Sequence, residues 1–187
     1  QLRRYHYQAV GNSRLQMDEA KASWETDEYM KNWGLVAQKA SAAYALGFHG
    51  QGVKVGMMDS GFLKNHVELS GDRWHAVSAY GTYDHNGERY PQYAYGKKPK
   101  DTSKFTAGSS FAVNGYYDSS VNDNHGTGCV GVMAGNRNGT GMHGVAWGSE
   151  IYSANTGGTD DTNYGPFPDY NFFKAGYDAL VNSGVKI

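Results

Sequence analysis

The sequence predicts an α/β fold, a parallel sheet with helices on both faces. Three observations carry this expectation. Residues 52–58 form a short apolar run (Val53, Val55, Met57, Met58), as a strand covered on both sides should. Residues 126–134 are a run of small residues suited to a closely packed helix, and residues 145–154 make a second strand candidate. Residues 170–182 then place Phe172, Phe173, Tyr177, Leu180 and Val181 at helical spacing, and Val185-Lys186-Ile187 opens another strand. The order βαβα favours parallel pairing, because a parallel crossover needs room for a helix.

Upstream, residues 1–32 are polar and mixed in charge and are expected to be an N-terminal extension, with weak helical periodicity over residues 13–33. Residues 32–46 predict one helix, with Leu35, Val36, Ala40, Ala43 and Leu46 along one side and Gly47 and Gly50 ending it. Residues 33–187 then read as one domain, interrupted by a long Tyr-rich insertion at about residues 70–121 that lacks a sustained period. Its Tyr80, Tyr83, Tyr90, Tyr93, Tyr95, Tyr116 and Tyr117 admit two readings: a binding surface, or a decorated loop shielding the sheet. A strand opening at the last three residues leads us to expect an incomplete sheet. Self-association, or the remainder of a parent chain, would cover its edge.

Composition narrows the function classes. The net charge of −1 and pI near 6.7 argue against a nucleic-acid partner, which would call for a basic face. No apolar run approaches the roughly 18–20 residues of a membrane span. The opening Gln1-Leu2-Arg3-Arg4 does not read as a leader, so an exported parent is expected either to have shed one or to carry one outside these residues. Cys129 is the single cysteine and excludes an internal disulfide.

Two motifs carry chemistry. Val53-Lys54-Val55-Gly56-Met57-Met58-Asp59-Ser60-Gly61 is a strand ending in an aspartate and a glycine turn. Asn122-Asp123-Asn124-His125-Gly126-Thr127-Gly128-Cys129-Val130-Gly131 places a histidine at a helix start. An aspartate can fix one imidazole tautomer and stabilise the imidazolium formed in proton transfer. Asp59 as orienter and His125 as general base are two members of a triad in the order Asp, His, Ser. No Gly-Thr-Ser segment occurs in the 187 residues.

These motifs resemble the Asp and His signatures of the subtilisin-like serine proteases, the subtilases. Residues 33–59 align with the helix and strand before the family's aspartate. His66-Val67-Glu68-Leu69 is similar to its His-Pro-Asp-Leu stretch, and Gly144-Val145-Ala146 to its Gly-Val-Ala step. The similarity covers residues 33–69 and 122–187; Trp147, where proline is frequent, departs from the pattern. The resemblance implies a subtilisin-like sheet and hydrolysis of polypeptides. It also implies a nucleophilic serine and oxyanion asparagine beyond Ile187, so that this chain alone would be inactive. The long insertion and scarce cysteine look like the passengers of Gram-negative autotransporter subtilases, which implies a secreted or bacterial cell-surface protein. A non-catalytic surface antigen or adhesin on the same scaffold is the alternative.

The resemblance extends to two further sites. Residues 136–142 align with a calcium loop. Asn138 would offer its side-chain oxygen, Asn136, Thr140 and Met142 their carbonyls, and Glu68 a carboxylate, all hard ligands. Gly157, Gly158, Asp160 and Asp161 align with the edge that pairs with extended substrate by strand addition. The two aspartates would favour basic residues there, or form only a solvated acidic turn. Cys129 lies four residues after His125, on the same helix side. We expect it to be a buried small hydrophobe, with a thiol nucleophile as the alternative.

Overall fold

The computed structural model describes residues 13–59, 61–63, 65–84, 107–113, 123–155 and 170–187. The N-terminal helices are α1 (Ser13–Trp24), α2 (Asp27–Lys31), α3 (Trp33–Gln38) and α4 (Ala40–Ala45). They are followed by β1 (Lys54–Asp59), β2 (Trp74–Ala76), β3 (Ala79–Thr82), β4 (Ser110–Val113), α5 (Asp123–Ala134), β5 (Glu150–Asn155) and α6 (Tyr170–Asn182). The central sheet is parallel, in the order β1-β5-β2, with Val55 opposite Ile151 and Asp59 opposite Asn155. Strands β3 and β4 form a separate antiparallel pair.

Alternation along β1 decides which helix each residue meets. Val55 and Met57 join Phe62, Leu69, Val130, Ala134 and Ile151 in an aliphatic cluster on the α5 side. Met58 joins Val113, Ala154, Phe172 and Leu180 on the α6 side. With both faces covered, the strand is apolar nearly throughout, as its sequence suggests. Gly56 is a required gap: a Cβ there would lie 2.8 Å from Val185 Cγ1. The final segment therefore lies against β1, with the Gly56 N–H donating to Ile187 O at 2.8 Å and the Lys186 N–H to Lys54 O at 3.2 Å. Residues 185–187 make these ladder-like bonds without forming a regular strand.

Four expectations are corrected. Residues 32–46 are not one helix, because Lys39 adopts the left-handed conformation (φ 56°, ψ 41°) between α3 and α4. The break costs about 1 kcal/mol for a residue with a Cβ. It turns α4 so that Ala40, Ser41 and Tyr44 are buried, while Val36 and Leu46 are exposed. Tyr29 Oη compensates by accepting the Ser41 N–H at 3.2 Å and donating to Leu35 O at 2.9 Å.

The second strand starts at Glu150, not at residue 145. The Val145 and Ala146 N–H groups instead serve the end of α5, donating to Val132 O and Met133 O, two carbonyls with no partner inside the helix.

Residues 70–121 are not wholly peripheral. Strand β2 pairs with β5 in the main sheet, and Val77, Phe111 and Val113 are buried in its core. The sequence hid this because β2 has three residues and β4 follows β3 after a long intervening stretch. Tyr90, Tyr93, Tyr95, Tyr116 and Tyr117 lie outside the described residues.

The first helices pack into the domain rather than standing apart as an extension. Glu28 and Tyr29 are buried, and Tyr29, Leu35, Ala40 and Tyr44 form a third cluster closed by Trp24, Val145 and Trp147.

Candidate active site

Asp59 ends β1 at the carboxyl end of the parallel sheet, where open α/β folds gather their functional groups. His125 stands in the first turn of α5. Its Nδ1 lies 2.7 Å from Asp59 Oδ1, with the Asp59 side chain 14% exposed and that of His125 57% exposed. The two residues are 66 positions apart, so tertiary packing makes this contact.

The two residues after His125 fix its position, a role their sequence did not reveal. Gly126 is buried, and a Cβ on it would lie 2.3 Å from Gly61 O and 3.0 Å from Asp59 Cβ. The helix start can approach the aspartate turn only because this residue lacks a side chain. Thr127 is also buried, and its Oγ1 accepts the Leu63 N–H at 2.7 Å, tying the segment after Asp59 to α5. Gly128 and Gly131 have open space where a Cβ would go, so the run of small residues contains two different kinds of glycine.

The opposite end of α5 is pinned as well. The Arg73 guanidinium donates to Ala134 O at 3.1 Å, to Ser149 O and to Asn136 Oδ1. Burial pushes the proton affinity of Arg73 down. One side chain thus joins the start of β2, the end of α5 and the approach to β5.

In chemical terms, the pair is an oriented imidazole. The Nδ1–H donates to the Asp59 carboxylate, which leaves Nε2 as the ring atom that accepts a proton. The start of α5 carries the positive end of the helix dipole, beside which the Asp59 carboxylate lies.

Cys129 corrects our expectation of burial: its thiol is exposed, with Sγ 3.9 Å from His125 Nδ1. Desolvation and the Asp59 charge push its pKa up, so a thiol rather than a reactive thiolate stands there at neutral pH. That is the wrong state for a nucleophile.

The expected calcium residues are only partly brought together. Asn138 Nδ2 lies 3.4 Å from Glu68 Oε2. Burial, and then the Glu28 charge, push the proton affinity of Glu68 up. The Asn136 side chain, whose residue was expected to offer its backbone carbonyl, donates to Val67 O and Ser70 O at 2.9 Å each. Asn138 Oδ1 accepts from Thr140 N at 3.0 Å and Thr140 Oγ1 at 2.7 Å. The donors suit calcium in chemistry, being carboxylate, carboxamide and carbonyl oxygens. Asn138 turns its NH₂, rather than its oxygen, toward Glu68. Met142 is exposed. The loop itself is held by Glu28, whose carboxylate accepts the Asn138 and Gly139 N–H groups at 3.0 and 2.9 Å. Sequence reading missed this contact, since it spans 110 positions. Gly157, Gly158, Asp160 and Asp161 lie outside the described residues.

His66 accepts the Glu68 N–H on Nδ1 at 3.2 Å. Trp147, in the position where proline is frequent, stacks on His49 with centroids 4.2 Å apart and lies under Arg137.

Comparison with known proteins completes the picture. Two curated proteins of Serratia marcescens, each named extracellular serine protease, are similar to this chain. One is 28% identical over 168 residues, and the other 27% over 165 residues. These alignments cover 90% and 88% of this chain but 12% of each relative, so the chain spans about an eighth of their length. The family model described as Subtilase family matches residues 50–187, and the chain belongs to that family.

Proposed function

We propose that this chain is the Asp- and His-bearing part of an exported serine endopeptidase. Asp59 orients His125. His125 takes the proton of a serine supplied by sequence outside these residues, then returns it to the leaving amine. The observation that carries the reading is the 2.7 Å contact between His125 Nδ1 and Asp59 Oδ1 at the end of a parallel strand. The retained pair also counts against a non-catalytic antigen on the same scaffold. The names of the two Serratia relatives support export, and an autotransporter passenger is the form of export we propose. Among the described residues, no helix is long and apolar enough to cross a membrane.

The substrate in this reading is an extended polypeptide that pairs with the edge carrying Gly157 and Gly158, with Asp160 and Asp161 selecting basic side chains. Cleavage profiling of the parent enzyme tests this. An Asp161→Ala variant with an unchanged profile would remove the two aspartates from the account.

A calcium ion held by Glu68 and the oxygens of residues 136–142 is the metal we propose, with a structural role. The carboxylate, carboxamide and carbonyl oxygens gathered at this loop support a cation there. Added calcium should raise the melting temperature of the chain, and Glu68→Gln should abolish that rise. An equal rise in both proteins would place the ion elsewhere.

A fluorophosphonate probe and intact mass test the main reading. The 187-residue chain should gain no adduct. The parent polypeptide should gain one adduct, and lose most of its labelling rate with His125→Ala. A parent protein that is folded yet unlabelled would overturn the proposal.

A further inference from the structure

We propose that Asp59, His125 and Cys129 form a binding site for a zinc-class divalent cation, and that this ion switches off the Asp–His pair. Asp59 Oδ1, His125 Nδ1 and Cys129 Sγ offer three ligand atoms, all within 4.8 Å of one another. A carboxylate, an imidazole and a thiolate are the donor types that zinc takes, with an open fourth position for water. Two of them stand at i and i+4 on one helix, so their spacing is set before any ion arrives. The thiolate sulfur excludes calcium and magnesium as preferred occupants.

The distances agree with this. A tetrahedral zinc with bonds of about 2.3 Å to sulfur and 2.0–2.1 Å to nitrogen sets sulfur and nitrogen about 3.6 Å apart. Cys129 Sγ and His125 Nδ1 are 3.9 Å apart. Oxygen and nitrogen ligands on the same ion stand about 3.3 Å apart, so the 2.7 Å Asp59–His125 contact must open slightly. The exposed imidazole can turn to allow it.

The charges also match. Asp59 and an ionised Cys129 together neutralise the ion. On binding, the thiol proton leaves to solvent and the imidazole proton moves from Nδ1 to Nε2, so one proton is released. Metal ligation and loss of the thiol proton are coupled, so binding strengthens as pH rises. The bound ion takes the Nδ1 that Asp59 would hold and leaves a proton on Nε2, where a base needs a lone pair. This inhibitory consequence rests on the serine endopeptidase reading, whereas the binding does not.

Cobalt titration of the 187-residue chain tests the site, because Cys129 is the only cysteine and a sulfur-to-cobalt charge-transfer band reports it directly. We expect one cobalt per chain, displaced by zinc, with one proton released. The band should be absent in Cys129→Ser. Affinity should fall at least tenfold in both His125→Ala and Asp59→Asn. Circular dichroism of each variant checks that the fold survives. A chain that shows no band overturns the site, as does full affinity in His125→Ala. Probe labelling of the parent enzyme with and without zinc separates the two ideas. Labelling that zinc does not slow, despite bound metal, removes the inhibition and leaves the site. An unlabelled parent removes the peptidase reading and leaves the binding result standing.

Discussion

The β1–α5–β5 unit and the N-terminal helical cluster are held by different forces. Under the Asp–His pair the contacts are aliphatic: Val55, Leu69, Val130, Ala134 and Ile151, with Gly126 setting how closely α5 approaches Asp59. In the helical cluster they are aromatic and hydrogen-bonded: Trp24, Tyr29, Tyr44 and Trp147 pack edge-on or tilted, and the tyrosine hydroxyls bond to backbone. Shape governs the first region and polar satisfaction the second. Mutations should therefore separate them.

The largest effect is expected in the first region. In the proposed parent enzyme, His125→Ala should lower kcat on the order of 10⁴-fold or more. The melting temperature should barely change, because the side chain is mostly exposed. A loss below tenfold would break the division of labour drawn above.

Gly126→Ala should lower activity and also destabilise the chain by about 1–3 kcal/mol, the range for forcing atoms into a packed contact. Gly128→Ala, with open space around it, should be neutral or gain up to about 1 kcal/mol, as alanine does in helices. Denaturant unfolding of the two variants is the sharpest check on close approach. Equal stabilities would refute it.

In the second region, Tyr29→Phe should cost about 1–3 kcal/mol, because the Ser41 N–H and Leu35 O lose a buried partner. The catalytic rate should not change. A changed rate with unchanged stability would mean the two regions are coupled.

The smallest effect concerns pH. His143 is buried beside Tyr29 and Tyr44, its Nδ1–H donates to Gly144 O, and burial holds its pKa below the usual 6.5. The unfolded chain binds that proton more readily. The stability from a neutral His143 is therefore full above about pH 6.5 and is lost as pH falls through the lowered folded value. The Gly144 hydrogen bond and the Glu28 charge oppose the shift, and the Arg137 charge adds to it. The melting temperature of His143→Gln should fall less between pH 7 and pH 5 than that of the unmodified chain. Parallel curves would assign the acid sensitivity to another group.

Helix α6 was legible residue for residue, because its period is local and strong. The segments that bring Asp59 and His125 together were legible because each is short and distinctive. The split at Lys39 was not, since no glycine or asparagine marks that left-handed turn. Strand β2 was not, since three residues carry no period. The difference between Gly126 and Gly128 was invisible as well: identical residues two positions apart face a neighbouring loop in one case and open space in the other.

By itself, the sequence determined the alternation of apolar strand and helix, the family signatures and the candidacy of Asp59 and His125 as a pair. These are properties of short windows, read from residue type and spacing. Only the tertiary structure decided that Asp59 and His125 meet at hydrogen-bond distance and that an exposed thiol joins them. It also decided that Glu28 and Arg73 lock distant segments together. Each of those contacts spans dozens of residues except the thiol's, whose exposure depends on what the rest of the chain leaves uncovered.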